Sequence, residues 1–213
     1  MAVSTDAFST RLADAARILT LGRALSPAQS ALLSERTDQG FLIGDVRAAA
    51  ETGDPFIAEA DADGRIGNVF PAEAVRDAAL LHAAVLRARP KAGAVVLTRS
   101  PRLAAWGLSS RPLPVRYFQM FGYTRAQEIP VVAADANAIE ATLGANPDTP
   151  ALLLGDGRTL IWGPKPERAV RLVLSLEEAA YVTALADHLG GARDYPADAR
   201  EKIYESLQAQ ARR

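Results

Sequence analysis

The stretch at residues 81–101 reads LHAAVLRARPKAGAVVLTRSP, and it decides the fold. Its first half continues the apolar face of a helix that is predicted to begin near Pro71 and that includes Ala78. Proline is tolerated at the first position of a helix. Arg89-Pro90 ends the helix, because proline disfavours helical geometry in the residue before it. Residues 92–97 then form an uninterrupted apolar run, which predicts a strand buried on both faces.

The flanking sequence supplies more helices. Helical periodicity predicts an opening helix over residues 9–25, capped by Ser9 or Thr10 and ended by Ser26-Pro27. A long helix is predicted over residues 166–189 and a charged last helix over about 196–211. The last helix has a narrow apolar stripe that needs a covering surface.

Short apolar or β-rich runs predict the remaining strands, at residues 41–43, 56–58, 129–134, 151–154 and 159–162. The last two flank an Asp-Gly turn and form a hairpin signature. Together these elements predict an α/β protein with a central, mostly antiparallel sheet covered by helices. We expect one domain over residues 1–213, whose last helix is a candidate to pack on a neighbouring subunit.

Composition excludes several classes of function. The chain has 24 basic and 25 acidic residues, so its net charge of −1 gives no electrostatic case for nucleic acid. It has no cysteine and only His82 and His188, which excludes a multi-histidine metal site within one chain. No apolar stretch approaches a membrane span, and residues 1–6 lack the pattern of a signal peptide, so we expect a cytoplasmic protein without membrane contact.

Residues 81–101 resemble the signature of the class II aldolase/adducin family. In that family a Leu/Ile-His pair opens the last turns of a helix, Arg-Pro ends the helix, and a buried strand leads into a His-x-His element. Other motifs are similar and occur in the same order: Ser-x-Arg at 34–36, Phe-Leu-Ile at 41–43, Glu-Ile-Pro-Val-Val at 128–132 and the hairpin at 152–163. The resemblance runs from about residue 10 to 190, favours the adducin-like branch, and implies the family's fold.

The departures from the family concern its metal site. Three histidines hold a divalent metal in the family, and the matching positions here are Leu97, Arg99 and Asp156. Leucine has no donor atom, and arginine has five N–H donors and no acceptor. One carboxylate cannot supply the three ligands that such a site needs. We therefore expect no metal and no cofactor. The family's proton-transfer acid aligns with Ala78, as is usual in the adducin-like branch.

The resemblance implies that Arg99 and Asp156 both point into the former metal position. A guanidinium and a carboxylate are natural bidentate partners, so we expect them to hydrogen-bond there. In a functional interpretation Arg99 binds an oxyanion or carboxylate, and Asp156 orients it or moves protons. In a structural interpretation the two form a salt bridge that fills a vacated site.

Five further residues are candidates for the site. His82 borders the apolar face of its helix, and either packs in the core or transfers protons. Ser34 and Arg36 resemble the family's substrate-anion loop, although a solvated turn has the same sequence character. Tyr117 and Tyr123 delimit an aromatic cluster that either packs against the sheet or a neighbour, or lines a pocket.

Two functions remain open at this point. The first is a metal-independent aldolase-like enzyme, a C–C lyase, decarboxylase or isomerase, that acts on a small oxo- or hydroxy-carboxylate. The second is a non-catalytic, adducin-like family member that binds a ligand or a protein. The expected partners are a small anionic metabolite and further copies of the chain, with a tetramer favoured because family members commonly form cyclic tetramers.

Overall fold

The computed structural model describes residues 3–25, 31–67 and 73–211. The strands are β1 (Ala31–Arg36), β2 (Gly40–Asp45), β3 (Ile57–Asp61), β4 (Ala94–Thr98), β5 (Leu113–Pro114), β6 (Glu128–Ile129), β7 (Val131–Val132), β8 (Ala151–Leu154) and β9 (Thr159–Gly163). The helices are α1 (Thr5–Leu21), α2 (Val46–Thr52), α3 (Glu73–Ala88), α4 (Pro101–Leu108), α5 (Ala136–Ala145), α6 (Pro166–His188) and α7 (Ala197–Ala211), with a 3-10 helix at Phe118–Gly122.

One seven-stranded sheet organises the described chain, in the order β3-β2-β1-β4-β9-β8-β7. Every neighbouring pair is antiparallel except β7 and β8, which are parallel. The predicted α/β fold with a mostly antiparallel central sheet is therefore confirmed. β5 and β6 pair separately.

The sheet is buried on both faces, as the apolar run before Arg99 predicts. Along β4, Ala94 and Val96 pack into the core under α1, α4 and α6, whereas Val95 and Leu97 pack into the core under α3 and α5. This alternation follows from the two-residue period of a strand. An apolar residue is thus required at each of these four positions of β4.

The helix bounds differ from the prediction at the first helix. α1 begins at Thr5 rather than residue 9, because Ser4 Oγ accepts a hydrogen bond from the backbone N–H of Ala7 at 3.3 Å. It ends at Leu21, and Arg23 adopts a left-handed φ of 56°. The predicted terminator Ser26-Pro27 and the predicted α3 start at Pro71 lie outside the described residues.

The predicted strand at 129–134 is divided by Pro130. β6 ends just before this proline and pairs with β5, whereas β7 begins just after it and pairs with β8. Proline has no N–H to donate, but the Pro130 carbonyl accepts from Leu153 N at 3.0 Å. Pro130 therefore lies where the chain passes from one sheet to the other.

The antiparallel pairing of β4 with β9 defines two opposite ends of the sheet. At one end, here called the Thr98 end, Thr98 of β4 pairs with Thr159 of β9. Ala94 pairs with Gly163 at the other, the Ala94 end. Four residue steps separate the two along β4, about 13 Å at about 3.3 Å per residue. None of the described helices is long and apolar enough to cross a membrane.

Candidate functional site

Arg99 lies at the Thr98 end, between β4 and α4, with an exposed side chain. The residue before it closes the buried strand, and Ser100 occupies the N-cap position of α4. No described carboxylate lies within ion-pair distance of the Arg99 guanidinium. Its charge is therefore free to meet an anion from solvent.

Asp156 lies in the turn between β8 and β9 and pairs with Arg158. Arg158 donates to this carboxylate from its backbone N at 2.9 Å and from Nε at 2.8 Å, and its terminal nitrogen lies 2.6 Å away. The expected hydrogen bond between Arg99 and Asp156 is therefore wrong. Arg158 lies only two residues after Asp156, on the other side of a tight turn in which Gly157 has a φ of +85°. The turn therefore brings the two side chains together locally, without help from a distant part of the chain.

The protonation of Asp156 reflects this pairing. Partial burial acts to raise the pKa of the Asp156 carboxyl, but the hydrogen bonds and charge of Arg158, with a smaller contribution from the charge of Arg99, lower it overall. Asp156 is consequently a carboxylate at neutral pH. Arg99 thus acts on Asp156 through its charge, with no hydrogen bond or ion pair between the two side chains.

Three buried hydroxyl groups lie beneath these charged residues. Thr98, Ser100 and Thr159 are each at most 2% exposed, and their hydroxyl oxygens have no hydrogen-bond partner within the described part of the chain. Thr98 and Thr159 face each other across β4 and β9. Neither threonine was predicted as a site residue, although a hydroxyl at one end of an otherwise apolar strand is a signal that points to both.

Glu177 of α6 is a third residue that was not predicted from the sequence. Its side chain is buried, and its carboxylate accepts from the backbone N–H groups of Arg102 and Leu103 at 3.0 and 2.9 Å. A negative charge at a helix N-terminus satisfies free N–H groups and complements the helix dipole. Glu177 thus holds the start of α4 and, with it, the segment that carries Arg99. The adjacent acids Glu177 and Glu178, in the middle of this helix, are the sequence signal for this role.

The donor set at the three family metal positions does not fit a divalent metal. Leu97 packs in the core under α3, Arg99 offers only donors, and both oxygens of Asp156 accept from Arg158. Across residues 3–25, 31–67 and 73–211, no three His, Asp or Glu side chains come close enough to hold a metal ion.

His82 and Ser34, two of the predicted site residues, contact each other inside the protein. His82 Nδ1 lies 2.7 Å from Ser34 Oγ, and both residues are fully buried between α3 and β1. The His82 ring also stacks on Phe41 at 6.5 Å between ring centroids. Burial lowers the pKa of His82 from 6.5 to about 3, so the imidazole is neutral at physiological pH. This environment matches the core interpretation rather than proton transfer.

Arg36 holds main-chain carbonyl groups at the Ala94 end. Its Nε donates to Ala92 O at 2.9 Å, and one terminal nitrogen donates to Leu86 O at 2.6 Å and Arg89 O at 3.3 Å. These bonds satisfy the C-terminal turn of α3 and fix the loop that follows it. The guanidinium is therefore already occupied, at the opposite end of the sheet from Arg99.

The two tyrosines also lie apart from each other. Tyr117 lies beside Glu178 of α6, and burial, followed by the hydrogen bond and charge of Glu178, raises the pKa of the Tyr117 hydroxyl. Tyr123 lines a cavity at the Ala94 end and stacks under Arg168 at 5.1 Å. Of the aromatic stretch between them, Phe121 is buried and Phe118 is 45% exposed.

The last helix packs on its own chain. Leu207 Cδ1 lies 3.3 Å from the position that a Cβ on Gly122 would occupy, Gln208 Nε2 donates to Gly122 O at 2.9 Å, and Ile203 packs against the main core. The apolar stripe that was expected to need a covering surface is therefore covered within the chain.

The fold is that of the class II aldolases. An L-fuculose 1-phosphate aldolase has a TM-score of 0.74 at 17% identity, covering 97% of this chain and 98% of that one. YgbL of Klebsiella pneumoniae, an aldolase/epimerase/decarboxylase candidate, has a TM-score of 0.70 at 20% identity, covering 94% and 99%. An L-fuculose-1-phosphate aldolase from Thermus thermophilus has a TM-score of 0.64 at 23% identity, covering 88% and 98%.

Sequence comparison agrees with the fold. The family model described as Class II Aldolase and Adducin N-terminal domain matches residues 10–184, and the chain belongs to this family. Among functionally curated proteins, none matches the chain. The predicted family is thereby confirmed.

Proposed function

We propose that the protein is a metal-independent aldolase-like enzyme, a C–C lyase, decarboxylase or isomerase, that acts on a small oxo- or hydroxy-carboxylate. The observation that carries this proposal is the free charge of Arg99 at the Thr98 end. Because Arg158 takes the Asp156 carboxylate, the Arg99 guanidinium keeps its donors for a carboxylate or a developing enolate oxygen.

The neighbouring residues have distinct roles in this proposal. Arg99 binds and stabilises negative charge, as the metal does in the family's metal-dependent members. Asp156 is a carboxylate at neutral pH, so it is assigned as the group that accepts a proton, and it also orients Arg158. Thr98 and Ser100 supply hydroxyl groups below the bound anion. His82 takes no part, because it is fully enclosed and neutral.

Oxalate tests the anion site, because this planar dicarboxylate resembles the enolate that decarboxylation or aldol cleavage of an oxo-acid creates. Calorimetry on chelator-treated protein should show binding that Arg99→Gln weakens by about tenfold or more. Arg171→Gln removes an exposed arginine elsewhere and is the matched control. Equal oxalate affinity in Arg99→Gln and wild type would refute the assignment of Arg99.

Turnover tests the chemistry. A panel of 2-oxo- and 2-hydroxy-carboxylates, assayed with excess chelator, should include a substrate whose kcat/KM falls about a hundredfold in Arg99→Gln. Activity that disappears on chelation and returns with a divalent metal would overturn metal independence.

The alternative, a non-catalytic family member that binds a ligand or a protein, is favoured by a different observation. Ser34, Arg36 and His82 are all engaged in contacts within the fold rather than facing a substrate. Oxalate binding without turnover of any member of the panel would support this alternative.

Assembly and location complete the proposal. A homo-oligomer, with a tetramer favoured, is supported by an exposed apolar face on the second half of α6, made of Tyr181, Val182, Leu185 and the following Leu189. A cytoplasmic location and a small anionic metabolite as partner belong to the same proposal.

A further inference from the structure

A cavity of about 660 Å³ lies at the Ala94 end of the sheet, away from Arg99. The loop between α3 and β4, the end of β9, the start of α6, the segment before β8 and one face of α7 form its walls. This volume is in the range of sites that hold small organic ligands. Arg36 bonds to Arg89 O and Ala92 O, so it fixes one of these walls.

The cavity is strongly basic. Arg89, Lys91, Arg125 and Arg168 line it, and Asp148 is the carboxylate among the lining residues. Arg125 is neutralised from outside the cavity, because its Nε donates to Glu201 at 2.9 Å. Lys91 and Arg168 have no carboxylate within ion-pair distance among the described residues. Two unpaired cations thus face one space, which favours an anionic occupant.

Arg89 adds a buried donor to this wall. One of its terminal nitrogens donates to Leu143 O at 3.1 Å and Asn146 O at 2.7 Å, which fixes the guanidinium. Its Nε is enclosed, and within the described chain no acceptor meets it. A buried N–H without an acceptor is costly, so Arg89 acts in this wall as a fixed, partly desolvated positive charge.

Flat rings alternate with these cations. The guanidinium carbon of Arg89 lies 5.7 Å from the Trp162 ring centroid, that of Arg168 lies 5.1 Å from Tyr123, and that of Arg125 lies 4.2 Å from Tyr204. Aromatic faces and stacked guanidinium groups both favour a planar ligand. An isolated phosphate or carboxylate ion would meet the cations but would make no ring contact with these aromatic side chains.

We propose that this cavity binds a small planar anion, an aromatic or heteroaromatic phosphate or carboxylate. Its ring packs among Trp162, Tyr123 and Tyr204, and its charged group meets Lys91 and Arg168. This site is separate from the Arg99 site and does not depend on the function proposed for it.

Calorimetry with four probes tests the proposal: 1-naphthyl phosphate, 1-naphthoate, inorganic phosphate and 1-naphthol. At least one naphthyl anion should bind once per chain, about tenfold more tightly than inorganic phosphate or 1-naphthol, since ring and charge both contribute. The better of the two naphthyl anions identifies the charged group. Binding should also quench the fluorescence of Trp162, which lines the cavity.

Charge-matched variants locate the site. Lys91→Gln/Arg168→Gln should weaken binding by about tenfold or more. Lys165→Gln/Arg171→Gln removes two exposed cations of the same region that do not line the cavity, and it should bind as wild type does. Arg99→Gln should also leave binding unchanged. Absence of binding by both naphthyl anions, equal affinity in the Lys91/Arg168 variant, or loss of binding in Arg99→Gln would each overturn the proposal.

Discussion

His82 Nδ1 lies 2.7 Å from Ser34 Oγ, and this contact joins α3 to β1 inside the core. Both side chains are fully buried, and His82 Nε2 has no partner within the described residues. The contact is the point at which two motifs of the family, far apart in sequence, meet.

Acid should destabilise the protein through His82. The folded-state pKa of His82 is lowered to about 3 from 6.5, so between these values the unfolded chain binds more protons than the folded one. The corresponding stability is present above pH 6.5 and is lost as pH falls, by about 2–3 kcal/mol at pH 4.5. Urea unfolding at pH 7.5 and 4.5 measures it. His82→Gln should lose less stability on acidification than wild type does, whereas exposed His188→Gln should match wild type; equal losses in both variants would contradict this assignment.

Arg36 should contribute to stability rather than to anion binding. Arg36→Gln removes charged hydrogen bonds to Leu86 O and Ala92 O, at a cost of about 2 kcal/mol in the free energy of unfolding. Arg17, an exposed arginine of α1, gives the matched control Arg17→Gln. Urea unfolding distinguishes the two, and oxalate affinity should not change in Arg36→Gln. A selective loss of oxalate binding would restore the substrate-anion role expected from sequence.

Glu177 should hold the start of α4. Glu177→Ala leaves the N–H groups of Arg102 and Leu103 without their acceptor and should cost about 1–3 kcal/mol. Hydrogen exchange at these two amides should accelerate. Glu205→Ala, at an exposed position of α7, is the control. Unchanged protection of both amides in Glu177→Ala would show that the carboxylate is dispensable.

Arg158 should keep the Asp156 carboxylate from pairing with Arg99. Arg158→Gln removes the guanidinium that Asp156 now binds, so the carboxylate becomes available to Arg99, and oxalate affinity should fall roughly two- to fivefold. Adding Asp156→Asn removes the competing charge and should restore affinity. Calorimetry on the single and double variants measures both steps. A double variant as weak as the single one would mean that Arg158 contacts the anion itself.

The exposed face of α6 should determine the oligomeric state. Val182→Asp/Leu185→Asp places charges on this face and should convert an oligomer to single chains, because buried unpaired charge is costly. Leu21→Asp, at an exposed site on α1, is the control. Light scattering at micromolar protein measures the mass. A wild-type mass equal to one chain would dismiss the oligomer.

The sequence predicted well the helices and strands whose apolar residues form a long helical pattern or an uninterrupted run. β4 and α6 are long or uniformly apolar, and their bounds agree with the prediction to within about two residues. α4 was missed because it has eight residues, too few for a helical period to be visible. The 129–134 strand was predicted as one because its apolar composition hides the change of partner at Pro130.

The candidate site was harder to predict, because residue type does not identify partners. Arg36 has the charge of an anion-binding residue, but its guanidinium donates instead to carbonyl groups of the loop after α3. Asp156 was matched with Arg99 across two strands, yet a residue two positions away reaches it more easily. Thr98, Thr159 and Glu177 act through burial and position, neither of which composition reveals.

The position of α7 has an evolutionary consequence. Tyr204 and Gln208 line the basic cavity, yet they lie beyond residues 10–184, which the family model matches. Substitutions confined to α7 would therefore change one wall of the cavity and leave the sheet and the Arg99 loop as they are. Divergence of this one helix is a route by which the proposed ligand of the cavity would change without any change in the family domain.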